Sequence, residues 1–358
     1  MKKLLLLLLL PIAFFSCADS KKSTKVSITG NQFLINDELT YKGREWEGQK
    51  IEGLLFNSRM VQGIFDDTNP ETQDNFVYPD TKTWDADRNT NEFIAAMSDW
   101  KAHGLSAFTL NLQGGSPLGY GNKGWINTTF DSKGELKADY MARLERILNK
   151  ADELNMVVIL GYFYFGQDQF LDDEAAVINA VDNITKWILE HGYTNILVEL
   201  NNESNIQYDH EILKVARVHE LIKRVQDTEI NGNRLLVSTS FGGGTVPSQK
   251  VADVSDFILI HGNGVKTQTK MLSFIERVKD VVKTPKPIVI NEDDHFNFES
   301  DTCNFVTATK QYVSWGYFDF RMKDEGFENG FQSVPVDWAI SSERKKSFFN
   351  KMKEITQE

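Results

Sequence analysis

The sequence predicts an α/β protein, a (β/α)8 barrel preceded by a short β-hairpin. Apolar runs of strand length alternate with amphipathic runs of helix length, the pattern of a parallel sheet covered by helices. Eight such units follow one another in a chain of 358 residues, a length that suits one barrel domain. No glycine-rich phosphate loop follows the first strand, which removes the usual ligand of an open doubly wound sheet.

The strands are expected at residues 53–57, 105–112, 156–162, 195–200, 234–239, 256–260, 287–291 and 316–320. Several are unbroken apolar runs, as in strands buried on both faces. Helices are expected at 90–103, 138–154, 173–190, 210–226, 268–282, 305–313 and 342–355. Their apolar residues recur at spacings of three and four; Phe93, Ile94, Met97 and Trp100 form one such stripe. Gly104 and Gly192 stand just past two of them, where a left-handed stop is needed. The link between the fifth and sixth strands is too short for a long helix, and Gly242-Gly243-Gly244 within it reads as a loop with unusual backbone angles. Ahead of the barrel, residues 32–38 read as a small hairpin turning at Asn36-Asp37 that caps the barrel bottom.

The first residues speak of export. Lys2 and Lys3 precede a leucine run from Leu4 to Leu10, extended to Phe15. This run is shorter than the roughly 20 residues that cross a bilayer, and it reads as the core of a secretory signal peptide. It ends at Ser16-Cys17, similar to a bacterial lipobox, with Phe14 in place of the usual leucine. The expected division is a signal peptide over 1–16, a tether over 17–26 that starts at the lipid-bearing Cys17, and one catalytic barrel over 27–358. The protein is then expected in the bacterial cell envelope, held to a membrane by its lipid. With Cys17 modified, Cys303 has no disulfide partner, and a chain this long can bury its core without one. A net charge of −12 argues against nucleic acid as a partner.

Reacting groups of such barrels lie just past the C-terminal ends of the strands. The fourth strand runs into Asn201-Asn202-Glu203-Ser204, and the seventh into Asn291-Glu292-Asp293-Asp294-His295. Two carboxyl groups across a barrel mouth are what glycoside hydrolysis uses: one protonates the leaving oxygen, while the other attacks the anomeric carbon or activates water. Asp293, Asp294 and His295 could be a solvated loop or a metal cluster, but hard-metal sites need more oxygen ligands at set spacing, and no metal or cofactor is expected. Arg59 follows the first strand and Arg321 the eighth; either could keep Glu292 ionised. Tyr162, Tyr164 and Phe165 follow the third strand, as a sugar platform or as packing. Trp125 lies in a long loop, residues 114–134, and could wall a subsite. His295 could tune the neighbouring carboxylate or merely face solvent.

An Asn-Glu pair after strand four with a glutamate after strand seven resembles the clan A glycoside hydrolases, distantly the cellulase-like family 5, over roughly residues 27–355. The resemblance implies a retaining glycosidase acting on a poly- or oligosaccharide, with Glu203 as acid/base, Glu292 as nucleophile, Asn202 on the substrate 2-hydroxyl and His261 lining the site. The chain departs from that family in several places. Serine 204 stands where proline is usual, Asn111 and Gln113 where an arginine is common, Tyr162 and Tyr164 where a histidine is common, and Asn263 where a tyrosine is expected. Trp315 begins the eighth strand, whereas the family's platform tryptophan ends it. The main rival is a non-catalytic carbohydrate-binding barrel, which needs neither glutamate. A metal-dependent hydrolase is disfavoured because no His-x-His follows the first strand.

Overall fold

The computed structural model describes residues 24–120 and 123–357. The signal peptide and Cys17 lie outside them. The tether does not extend to residue 26: Thr24 is buried, its N–H donating to Asp152 Oδ1 at 2.8 Å and its hydroxyl to the Asp152 carbonyl at 2.7 Å.

The described chain opens with a three-stranded antiparallel sheet of β1 (Val26–Thr29), β2 (Gln32–Ile35) and β3 (Glu38–Leu39). The β2–β3 turn uses Asn36 and Asp37 at φ 54° and 62°, the left-handed pair that a two-residue hairpin requires. A small ribbon of β4 (Glu45–Trp46) and β5 (Gln49–Lys50) follows.

Parallel strands then alternate with helices. The strands are β6 (Asn57–Arg59), β7 (Ala107–Asn111), β8 (Val157–Phe163), β9 (Ile196–Asn201), β10 (Leu236–Ser238), β11 (Ile258–His261), β12 (Ile288–Glu292) and β13 (Gly316–Tyr317). The helices are α1 (Ala86–Ala102), α2 (Ala138–Glu153), α3 (Glu174–Glu190), α4 (Val218–Asp227), α5 (Gln249–Val254), α6 (Gln268–Val281), α7 (Asn304–Lys310) and α8 (Glu343–Thr356). Regular pairing joins six strands in the order β10-β9-β8-β7-β6-β13 and pairs β11 with β12 separately. It does not run unbroken through all eight. Isolated backbone bonds link the two pieces: Ile290 N–H to the Ser314 carbonyl at 2.8 Å, and Asp256 N–H to the Val237 carbonyl at 3.0 Å.

Two elements differ from their sequence signatures. Strand β6 starts at Asn57, after the apolar Leu54-Leu55-Phe56, so the first ladder is polar yet fully buried. The helix expected from residue 210 begins only at Val218. Asp168 holds the upstream segment out of the helix by accepting the backbone N–H groups of Asp209 and His210 at 2.8 and 3.1 Å.

The inner face of the strands explains where chemistry sits. Leu55, Ala107, Val157, Ile159, Leu197, Leu259 and Val289 form one buried cluster with Val26 and Phe33 of the hairpin sheet. Successive side chains of a strand alternate in direction. Steps of two along the same face therefore lead from this apolar floor to Arg59, Asn111, Gly161, Glu199 and His261. Phe33 is fully buried and meets Phe257 edge-on at 6.3 Å between ring centres. Phe33→Ala should therefore cost about 3–5 kcal/mol of stability, read as a lower urea midpoint with an unchanged slope. A cost below 1 kcal/mol would show that the hairpin does not seat on the sheet interior.

Candidate active site

Backbone geometry aims the two glutamates at each other. Glu203 lies two residues past β9 at φ 53°, a left-handed conformation that a non-glycine residue holds at a cost of about 1–3 kcal/mol. The surrounding bonds enforce it: Glu203 N–H donates to Ser240 Oγ and Ser204 N–H to the Ser240 carbonyl, both at 2.9 Å. Glu292 ends β12 beside an irregularity in the β11–β12 ladder, where the register passes from Ile260–Ile290 to His261–Glu292. Skipping Asn291 turns both Asn291 and Glu292 toward the interior, as bulges do when they re-aim side chains.

One oxygen of each glutamate and a ring nitrogen of His261 all lie within 4.8 Å of one another. His261 Nδ1 is 3.0 Å from Glu203 Oε1 and 3.5 Å from Glu292 Oε2. Arg59 Nε sits 2.8 Å from Glu292 Oε2. The Asn263 amide donates to Glu292 Oε1 at 2.6 Å and to the Tyr120 hydroxyl at 2.8 Å. Arg59 Nη2 donates to Asn202 Oδ1 at 2.8 Å. The Glu203 side chain is 14% exposed and that of Glu292 7%, while Arg59 and His261 are closed off.

Charge balance follows from that burial. Burial works against a charged His261, yet Glu292, Glu199 and Glu203 together raise its pKa to about 10. Burial also opposes charge on Arg59, and Glu292 and Glu199 outweigh it, holding the guanidinium charged. Burial raises the Glu292 carboxyl above the usual carboxylate range, against the pull of Arg59 and His261, with Glu203 adding to the rise. Burial likewise acts to raise Glu199, but His261 and Arg59 overcome it and hold it below that range. Two cations thus face three carboxyl groups, one of them firmly ionised. A low-dielectric site favours such a balance of opposite charges.

Other expected site residues fall in different places. Tyr164 is buried beside the cluster, its hydroxyl 2.8 Å from Ser116 Oγ, and Trp125 stands behind it at 6.3 Å between ring centres. Asn111 reaches the inner face but is buried and packs on Gly161, where an added Cβ would lie 2.3 Å from its Oδ1. Tyr162 does not join the cluster around the two glutamates. The strand's alternation turns it to the helix side, where its hydroxyl meets Thr185 Oγ1 of α3 at 3.3 Å. His295 does not touch either glutamate in the bonds described; it binds Asp293, which also accepts Trp315 Nε1 at 2.9 Å and Asn304 Nδ2 at 3.0 Å. That places His295 in the brace of the loop after β12. Arg321 donates to the carbonyls of Phe327, Ser333 and Pro335, so Arg59 rather than Arg321 holds Glu292.

Both acidic trios already meet protein donors. In the first, Glu292 Oε2 faces the Arg59 guanidinium at 2.8 Å and Glu203 Oε1 faces His261 Nδ1 at 3.0 Å, so a cation there would compete with Arg59. The Asp293 oxygens are taken by the donors of Trp315, Asn304 and His295.

Three functional neighbours were not expected from sequence: Glu199, Asn263 as a donor, and Tyr120. Glu199 carried a signal, since a carboxylate between Val198 and Leu200 in a buried run demands partners. Tyr120 did not. It reaches from the loop after β7 to Asn263 and donates to Asp294 Oδ2 at 3.2 Å.

Solved structures that this one resembles include glycoside hydrolases. A family 5 glycoside hydrolase from Prevotella bryantii B14 matches with a TM-score of 0.54 at 11% identity over 85% of this chain and 96% of that one. A family 5 mannosidase from Rhizomucor miehei matches at 0.53 and 11%, over 94% and 98%. A candidate glycoside hydrolase from Bacteroides vulgatus ATCC 8482 matches at 0.53 and 13% over 90% of this chain, which spans only 60% of that longer one. No family profile and no curated protein sequence matches the chain.

The high His261 pKa has a consequence for stability. The unfolded value is about 6.5, so the histidine's contribution is complete below about pH 6.5 and is lost as pH climbs through about 10. Denaturation from pH 6 to 10.5 should show wild type losing stability relative to His261→Gln as pH rises; parallel curves would refute the charged histidine. The likeness to those structures establishes a shared mixed α/β fold with a parallel sheet, matching the barrels of glycoside hydrolase family 5.

Proposed function

We propose that this protein is a retaining glycosidase built on a (β/α)8 barrel, with the N-terminal hairpin sheet sealing the barrel bottom. The observation that carries the reading is the approach of Glu203 and Glu292 to within 4.8 Å between carboxylate oxygens. Retaining enzymes hold their carboxyl groups about 5–5.5 Å apart, and inverting ones leave about 6.5–9.5 Å for a water. The family 5 enzymes among the similar structures support the same reading.

In this mechanism Glu292 is the nucleophile. Arg59 and Asn263 each address one of its oxygens, which orients the carboxylate and opposes the rise that burial imposes on it. Glu203 is the acid/base. Its Oε1 faces His261 Nδ1, and its greater exposure puts the other oxygen within reach of a glycosidic oxygen. Proton transfer from Glu203 to the leaving oxygen accompanies attack of Glu292 on the anomeric carbon. Glu203, now a base, takes a proton from the water that releases the sugar. Asn202, held by Arg59, is placed for a sugar hydroxyl, and Tyr164 with Trp125 forms a wall of the sugar site.

A panel of aryl and oligomeric glycosides, including gluco- and manno-configured members, tests the activity. Glu203→Gln and Glu292→Gln should each lower kcat/KM by at least about 10²–10⁴ in proteins that still unfold cooperatively in urea, Glu292→Gln at a lower midpoint because it leaves Arg59 short of a partner. Proton NMR of the first-formed product should show the substrate's anomeric configuration. Inversion, or full activity in either variant, would contradict the reading.

The cell-envelope placement belongs to the same proposal and rests on the first 17 residues. Labelled palmitate should enter the wild-type protein in a bacterial host but not Cys17→Ala, which should appear in the soluble fraction. Equal labelling would place the lipid elsewhere or nowhere.

A further inference from the structure

We propose that Glu199 is a positioning residue of this site, gripping Arg59 and His261 from behind so that both cations present their other faces to Glu292 and Glu203. Glu199 is fully buried in the middle of β9. Its Oε2 accepts from the Asn291 amide at 3.1 Å and lies 3.8 Å from Arg59 Nη1; its Oε1 lies 3.7 Å from His261 Nε2. The opposite ends of the same two cations meet the paired glutamates: Arg59 Nε on Glu292 at 2.8 Å, and His261 Nδ1 on Glu203 at 3.0 Å. The cations are therefore layered between one carboxylate inside the sheet and two at its mouth.

Burying a carboxylate is costly, and a whole buried ion network can often be replaced by apolar residues of similar volume without loss of stability. What Glu199 supplies is a second negative neighbour for each cation. A histidine with a carboxylate beyond each nitrogen, 3.0 Å from Nδ1 and 3.7 Å from Nε2, meets two negative charges and is favoured as the imidazolium. Glu199 thereby sets the ring's charge as well as its orientation. It also sets the net charge that the pair in front meets: opposite an ionised Glu199, Arg59 and His261 present one net positive charge to Glu203 and Glu292. Without its charge, the local field turns more positive, and every proton nearby is held less tightly. The groups facing His261 are Glu199 on β9, Glu203 beyond it and Glu292 on β12, with Arg59 of β6 behind the carboxylates. Tyr164 and Tyr208 nearby stay neutral, burial raising both phenols.

The catalytic part of this inference rests on the glycosidase reading, so its test includes a readout that needs no substrate. His261 is titrated by NMR in protein labelled at histidine, with His261→Gln to assign its signal. Glu199→Gln keeps the shape and removes the charge; the His261 pKa should fall by about 1–3 units. The alkaline limb of kcat/KM should move to lower pH by about one unit, mostly through kcat. Glu199→Asp keeps the charge at a longer reach and should recover most of both shifts. If Glu199→Gln does not fold, Glu199→Asp carries the test through a smaller downward shift of His261. An unchanged His261 titration in a folded variant overturns the proposal. A shifted titration in a protein that cleaves no glycoside would support the Glu199 assignment and overturn the glycosidase reading instead.

Discussion

The ion pair between Arg59 Nε and Glu292, 2.8 Å apart and almost wholly buried, is the constraint on which the rest of the site depends. A buried guanidinium cannot shed its charge, so the structure must surround it with carboxylates. Glu199 and Glu292 do so, and Asn202 takes another of its N–H groups. Once Arg59 is fixed in this way, His261 is drawn into the same negative field, between Glu199 and Glu203. Breaking one member of such a network leaves a buried charge uncompensated, which is far more damaging than replacing a surface pair.

The strand scaffold turns that charge arrangement into geometry. The apolar layer of Leu55, Ala107, Val157, Leu197 and Leu259 fills the interior beneath the site. Polar residues appear only higher on the same faces, so the charges are gathered at one end of the sheet. Two local irregularities finish the alignment: the left-handed backbone of Glu203 and the skipped residue before Glu292. Each costs conformational energy, and each turns a side chain that regular geometry would direct elsewhere. Such departures from regularity are expected where function competes with folding.

Much of this was legible in the sequence because it depends on local patterns. The long apolar runs of β7, β8 and β9 and the 3-and-4 stripes of α2, α3 and α6 lie where periodicity put them. The Asn36-Asp37 turn followed from the residues that tolerate its angles. The two glutamates were visible because strand ends are where such sheets expose side chains. What could not be read were contacts between residues distant along the chain. Asp168 blocking the start of α4, Tyr120 reaching Asn263, and Arg59 rather than Arg321 meeting Glu292 all depend on side-chain placement across strands. Tyr162 was misplaced for a simpler reason: at a strand end, a shift of one residue exchanges the inner face for the outer. The departures from the family 5 pattern also acquire a physical meaning. The guanidinium beside Glu292 comes from Arg59 of β6, and Asn263 donates to Glu292 and to the Tyr120 hydroxyl.

The central claim is that Glu292 attacks the sugar while Glu203 donates the proton. Incubation with activated 2-deoxy-2-fluoro glycosides of gluco and manno configuration, followed by intact-mass and peptide mass spectrometry, tests it most directly, because such substrates slow breakdown of a covalent intermediate. The account predicts a stoichiometric adduct on the peptide containing Glu292, absent in Glu292→Gln. An adduct on Glu203, or turnover of the corresponding natural glycoside with no covalent species at any time, would contradict it.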